Sequence, residues 1–219
     1  MLFLKEKVKS RCRGQSIWID ISVVRNTVFS DIPYKTLLKI FNRLEEEGIV
    51  KTVSKGVYSI GKKKIDERKL LSDYTSNGKG MVVGYTLFNK IGLTFYQDER
   101  IVIYTNVIMT KQKSIGNLLL KKVDLIFTDE IIDLVSLLEI LDVGFGIRGG
   151  DYLTYRNVVE LLAKTYTDDN FKQVIGAIRY KYSTIVKLNE LLNRLNINNF
   201  CLDLYQQLLN VNQRKEYTL

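Results

Sequence analysis

The sequence predicts an α+β protein in two parts. An N-terminal winged helix-turn-helix is expected over residues 1 to 69, followed by a C-terminal α+β domain over residues 70 to 219 with a small sheet and a helical tail. Three observations lead there. Residues 30 to 60 join a helix-start signal, an apolar stripe at helical spacing and a lysine-tipped hairpin. The formal net charge of +9 is uneven: residues 1 to 69 hold 16 Lys+Arg against 8 Asp+Glu, and residues 70 to 219 hold 17 against 16. Beyond residue 100, strand-like runs give way to long helical patterns after Thr128.

Residues 2 to 13 alternate apolar residues (Leu2, Leu4, Val8) with basic ones (Lys5, Lys9, Arg11, Arg13), which predicts a first helix stopped at Gly14. Trp18 and Ile19 suggest a short strand, with Trp18 in the core, and Ile21 to Phe29 a second helix. The third helix is the best marked. Asp31 is placed to accept from free backbone N–H groups, and Pro33, the only proline, suits the first turn because its missing N–H would be unpaired there. The helix is expected to begin near residue 32. Leu37, Ile40, Phe41 and Leu44 form its buried stripe, and Gly48 supplies the left-handed position that ends it.

Opposite that stripe, at about 100° per residue, lie Lys35, Lys39 and Asn42, with Thr36 and Arg43 beside them. Glu45, Glu46 and Glu47 close the helix with acid that a phosphate backbone would repel, so the lysine end should meet any nucleic acid. Two β-prone runs, Ile49 to Val53 and Val57 to Ile60, flank Ser54-Lys55-Gly56 and read as a hairpin. Candidate major-groove residues are therefore Lys35, Thr36, Lys39, Asn42 and Arg43. Lys51, Lys55, Lys62, Lys63 and Lys64 are candidate phosphate contacts, being point charges without a planar fork for base edges.

The connector from Ile65 to Tyr74 reads as polar and partly helical, with the domain boundary near residue 70. Beyond it, Met81 to Tyr96 suits a buried helix ended by Gly92, and Arg100 to Asn106 and Lys121 to Thr128 are the clearest strands. Helical spacing then covers Ile131 to Val143, Tyr155 to Tyr166, Phe171 to Tyr180, Ile185 to Leu195 and Phe200 to Leu209. Arg179, Lys181, Lys187 and Arg194, beside Tyr180 and Tyr182, form either a second basic surface or a solvated face.

Composition narrows the chemistry. There is no histidine, which removes Ser/His and Cys/His nucleophile pairs and His general bases. Cys12 and Cys201 lack the paired spacing of a zinc site and do not suggest a disulfide framework, which fits a reducing cytoplasm. The apolar run Ile131 to Phe145 contains Asp133, Glu139 and Asp142 and is too short for a membrane span, and the N-terminus is too charged for a signal peptide. Gly144-Phe-Gly-Ile-Arg-Gly149 has the glycine spacing of a dinucleotide loop, but a helical pattern precedes it where that motif needs a strand. Glu67-Arg-Lys69 and Asp124 do not make a nuclease carboxylate cluster. A binding protein without cofactor or metal is expected, rather than an enzyme.

Several blocks resemble the AbiEi-type antitoxin family. In the first part they are Asn42-Arg43-Leu44, Glu47-Gly48-Ile49 and Ser54-Lys55-Gly56-Val57-Tyr58. In the second they are Val83-Gly84-Tyr85, Asn89-Lys90-Ile91-Gly92-Leu93-Thr94, Ile103-Tyr104-Thr105-Asn106, Leu137-Leu138-Glu139-Ile140-Leu141 and Lys181-Tyr182. The likeness spans about residues 32 to 195 and departs from the family at Ser183, Thr184 and Ile185, where proline and arginine are usual. It implies a cytoplasmic antitoxin of the type IV class, active in abortive infection. Such a protein would repress its own operon by binding promoter inverted repeats in double-stranded DNA, and counter a nucleotidyltransferase-like toxin directly or indirectly. The alternative is a winged-helix transcriptional regulator with a ligand- or protein-sensing second domain and no toxin partner.

Overall fold

The computed structural model describes residues 5–8, 10, 18–60 and 67–216. The protein is a mixed α+β structure with two small sheets. Residues 5–8 are helical (α1) and bury Val8; the rest of the helix expected over residues 2 to 13, the Trp18 side chain and Lys62 to Lys64 lie outside the described residues. Strand β1 (Trp18–Asp20) runs straight into α2 (Ile21–Thr27), because the Asp20 side chain caps that helix by accepting from the Ser22 N–H at 2.8 Å. Helix α3 (Tyr34–Glu46) follows, then β2 (Val50–Ser54) and β3 (Val57–Ile60).

Helix α3 buries Leu37, Ile40, Phe41 and Leu44, the stripe its spacing predicts. Its end is also as expected: Gly48 has φ +70°, and the Ile49 N–H reaches back to the Leu44 carbonyl at 2.9 Å. Its start differs. Pro33 is the capping residue rather than part of the first turn, and among the described residues no side chain caps the helix; Asp31 instead accepts from Lys7 Nζ at 2.6 Å. Pro33 has ψ 141°, extended rather than helical, so the helix begins two residues later than expected.

The first sheet has the order β1-β3-β2, all antiparallel. Strand β3 is covered on both faces, since alternate residues point oppositely along a strand. Tyr58 stacks on Phe41 of α3 at 4.9 Å and belongs to a smaller apolar cluster with Val8, Ile19, Leu37 and Leu44. Val57 belongs to a larger cluster that runs on through Leu70, Tyr74, Ile103 and Leu138 to Tyr205.

After α4 (Glu67–Thr75), the expected helix from Met81 to Tyr96 resolves into a strand and a shorter helix: β4 (Gly80–Val83), then α5 (Tyr85–Lys90). Gly84, at φ +67°, breaks the run between them. All four β4 residues are buried, and Val82 and Val83 pair with Ile103 and Val102 of β5 (Ile101–Thr105), so strand pairing overrides an apolar spacing that also suits a helix.

The strand expected over Lys121 to Thr128 lies earlier, as β7 (Leu118–Lys122), joined by Gly116-Asn117 to an unforeseen β6 (Gln112–Ile115). A Gly-Asn pair between apolar residues is a hairpin signal that this reading missed. The second sheet has the order β4-β5-β7-β6, parallel only between β5 and β7.

Five helices follow: α6 (Asp129–Val143), α7 (Tyr152–Ala163), α8 (Asp168–Ala177), α9 (Tyr182–Arg194) and α10 (Cys201–Glu216). Helix α6 buries residues around its whole circumference, including Leu134, Val135, Leu138 and Leu141, which makes it the central helix on which α7, α8 and α9 pack. Among the described residues, no helix is long and apolar enough to cross a membrane.

Candidate nucleic-acid interface

The basic face predicted on α3 is present on the surface. Lys35, Lys39, Asn42 and Arg43 are exposed and Thr36 is half-buried. The cause is the register of the helix: with Leu37, Ile40, Phe41 and Leu44 held against the sheet and α2, the positions opposite them must face solvent. Among the described residues, none of Lys35, Lys39 and Arg43 pairs with a carboxylate, so their charge remains available to a ligand.

The structure adds constraints that the sequence did not reveal. Tyr58 donates its hydroxyl to Asn42 Oδ1 at 3.1 Å, which orients the amide and commits its carbonyl. Burial raises the Tyr58 hydroxyl above the ordinary tyrosine range, with the Glu45 charge adding to it, so it stays a donor at neutral pH. Glu45 accepts from the Thr52 N–H and the Thr52 hydroxyl, both at 2.7 Å, and these bonds hold its carboxyl below the usual glutamate range. Glu47 pairs with Lys5. Two of the three acids at the end of α3 therefore clamp neighbouring elements, and Glu46 between them is exposed. No sequence spacing marks the Glu45–Thr52 clamp, because Glu is common at a helix end.

Strands β2 and β3 are joined by a tight two-residue turn, Lys55-Gly56, and Ser54, expected in the turn, is the last residue of β2. The turn is anchored rather than projecting. The Gly56 carbonyl accepts from the Ile21 N–H at 3.0 Å, and a Cβ placed on Gly56 would lie 3.4 Å from the Tyr34 hydroxyl and 3.8 Å from Lys113 Nζ of β6. Lys51 and Lys55 are exposed and pair with no carboxylate among the described residues. Five basic side chains, from Lys35 to Lys55, thus sit on one helix and the adjoining hairpin, with Asn42 among them.

Three of the four cations of the possible second basic surface in the tail are held in place by groups within the chain. Lys181 pairs with Asp142 at 3.1 Å, Arg194 with Glu160 at 3.4 Å, and Lys187 donates to the Leu141 carbonyl at 2.9 Å. Tyr180 is buried and donates to Glu139. The Gly144 to Gly149 loop leaves helix α6 through a 3-10 turn (Gly144–Gly146), so no strand feeds it as a dinucleotide motif requires. Asp124 is exposed and pairs with Lys122 at 3.2 Å, and no group of three or more Cys, Asp or Glu side chains is placed to share a metal ion among the described residues.

No family model matches the chain, and no curated protein matches it. Among solved structures, the chain is similar to the RV2827C protein from Mycobacterium tuberculosis, with 14% identity over 94% of this chain and 80% of that chain and a TM-score of 0.37, a likeness too low to carry an argument.

Proposed function

We propose that this chain is a DNA-binding antitoxin that represses its own operon, with a winged helix-turn-helix formed by β1, α2, α3, β2 and β3. The observation that carries the DNA reading is the face of α3. Lys35, Lys39 and Arg43 are exposed without carboxylate partners among the described residues, and Lys51 and Lys55 continue the positive charge onto the hairpin. On this reading α3 enters the major groove and the hairpin lysines contact phosphate. Asn42, with its amide oriented by Tyr58, reads a base edge. The second part, built on the β4-β5-β7-β6 sheet and the α6 to α10 helices, counters a nucleotidyltransferase-like toxin. That role rests on the resemblance of Asn89 to Thr94 and the other blocks to AbiEi-type antitoxins. The protein acts by binding, in the cytoplasm, with no cofactor.

The test pairs a gel-shift titration on the chain's own promoter DNA with a growth-rescue assay against the neighbouring nucleotidyltransferase gene. Changing Lys35, Lys39 and Lys55 together to Ala should abolish the shift and leave rescue intact. A triple variant that binds the promoter like wild type would refute the DNA reading, and a wild-type chain that never protects would refute the antitoxin reading.

A regulator with a ligand-sensing second domain is the second reading, favoured by an amphipathic hollow beside Phe145.

A further inference from the structure

We propose that the hollow between α6, α7 and α9 binds a small amphiphilic anion: a molecule with an aromatic or branched hydrocarbon body and a single carboxylate or sulfonate head. The proposal does not depend on the DNA reading.

The hollow measures about 380 Å³, within the range of about 300–1,000 Å³ typical of small-molecule sites. Phe145, Tyr155, Val159 and Leu191 make its apolar walls. Phe145 is the telling residue. It is 71% exposed although its ring lies 4.7 Å from that of Tyr155 and 5.3 Å from that of Tyr152, so an aromatic shelf is preformed yet uncovered. A second hollow of about 190 Å³ also has Phe145 in its wall. Large apolar groups grouped in an exposed concavity mark binding surfaces, because covering them removes apolar area from water.

The loop that carries Phe145 is held in place. Thr94 donates its hydroxyl to the Arg148 carbonyl, and Lys187 of α9 donates to the Leu141 carbonyl at 2.9 Å while its ammonium sits 3.3 Å from where a Cβ on Gly144 would be. The shelf is therefore set before any ligand arrives, which lowers the ordering cost of binding.

The charges on the rim decide the ligand's head group. Lys187, Glu190 and Arg194 all line the hollow from one face of α9, at positions i, i+3 and i+7. Lys187 has no carboxylate partner among the described residues within ion-pair distance. Arg194 shares Glu160 with Arg156, which holds that carboxylate more closely, at 2.9 Å against 3.4 Å. With Glu160 answered by Arg156, the described residues of the rim are two cations and the anion Glu190, a net charge of one. A singly charged anion balances it; a polyphosphate would leave most of its own charge unmatched.

The experiment is calorimetric titration of the full chain with 1-naphthoate, its neutral methyl ester and the cationic 1-naphthylmethylamine. Naphthoate should bind at one site, with the ester on the order of tenfold weaker and the amine weaker still. Phe145→Ala should weaken naphthoate and ester together by about tenfold. Replacing both Lys187 and Arg194 by Gln should remove the preference for naphthoate over ester, and Glu190→Gln should increase it. Leu161→Ala, an exposed apolar residue that does not line the hollow, should change nothing. Thermal melts of each variant exclude misfolding as the cause of a loss. Equal affinity for acid and ester, or naphthoate binding that ignores Phe145→Ala, would overturn the proposal. So would the absence of saturable binding, which would leave the Phe145 shelf as an anchor for a protein partner.

Discussion

Lys113 of β6 reaches across to Asp20, at the junction of β1 and α2, and places its ammonium 2.8 Å from a carboxylate that is completely buried. The two residues are 93 positions apart. The same carboxylate accepts the Tyr74 hydroxyl from α4 and caps α2 through the Ser22 N–H. One buried anion thus joins the first sheet, α4 and the second sheet, and all its donors come from elements that it holds together. Breaking a buried pair by removing one partner's charge strands the other, at a cost of roughly 3–5 kcal/mol. Asp20→Asn keeps the helix cap but leaves Lys113 uncompensated, so it should lose stability on that scale in urea unfolding. Lys113→Met leaves Asp20 with two donors and should lose less. Wild-type stability in both variants would show that the pair does not hold the junction.

Glu139 of α6 is mostly buried, and its carboxylate accepts from Tyr104 at 3.2 Å and Tyr180 at 3.1 Å. Burial penalises the anion more than these bonds support it, so its carboxyl sits above the ordinary glutamate range. The native state therefore holds this proton more tightly than the unfolded chain. The resulting stability is fully present below the unfolded value and is lost as pH rises to the raised native one. Glu139→Gln still accepts from both tyrosines but does not ionise. As pH rises above the unfolded glutamate value of about 4.3, the wild type should lose stability relative to Glu139→Gln, and parallel pH profiles in denaturant titrations would sink this account.

Gly80 and Gly48 are glycines for different reasons. A Cβ on Gly80 would fall 2.2 Å from the Tyr104 carbonyl oxygen and 2.6 Å from that of Tyr74, both backbone atoms that cannot swing aside. Gly80→Ala should therefore cost at least about 1–3 kcal/mol as the β4–β5 pairing is forced apart. Around Gly48 there is open space and only its φ of +70° resists a side chain, so Gly48→Ala should cost about 1 kcal/mol. Each kcal/mol is about 2–4 °C in melting temperature for a chain of this size. Equal melts would contradict the difference in packing.

On the DNA reading, Asn42 and Tyr58 can be separated. Asn42→Ala removes a base contact and should weaken promoter binding by about 1–3 kcal/mol. Tyr58→Phe keeps the ring on Phe41 and only releases the amide, so promoter affinity should hold. Lys55→Ala should instead flatten the plot of log affinity against log salt by about 1 and leave sequence preference intact. A wild-type salt slope for Lys55→Ala would remove the hairpin from the interface.

Helix α3 was legible except at its start, since its buried stripe, basic face and Gly48 ending all follow from local spacing and backbone preference. Helices α6 to α9 were legible for the same reason, to within about three residues at their ends, whereas α10 runs on to Glu216 past the expected Leu209. Strand β4 was not, because Met81 to Val83 is equally apolar as helix or strand and only pairing with β5 decides. Nor was β6, whose Gln112, Lys113 and Ser114 lack an apolar alternation and gain their strand geometry from β7.

The sequence by itself determined the mixed α+β class, the register of α3 and the concentration of positive charge in the first third of the chain, all properties of residues close together along it. Only the tertiary structure decided which of those charges are free. Lys5 pairs with Glu47 and Lys7 with Asp31, and the buried Asp20 is answered by Lys113 from the second sheet, whereas Lys35, Lys39 and Arg43 face outward without a carboxylate partner among the described residues. The reason is physical: a buried charge must find a partner wherever the fold brings one, and that partner's distance along the chain leaves no local pattern to read.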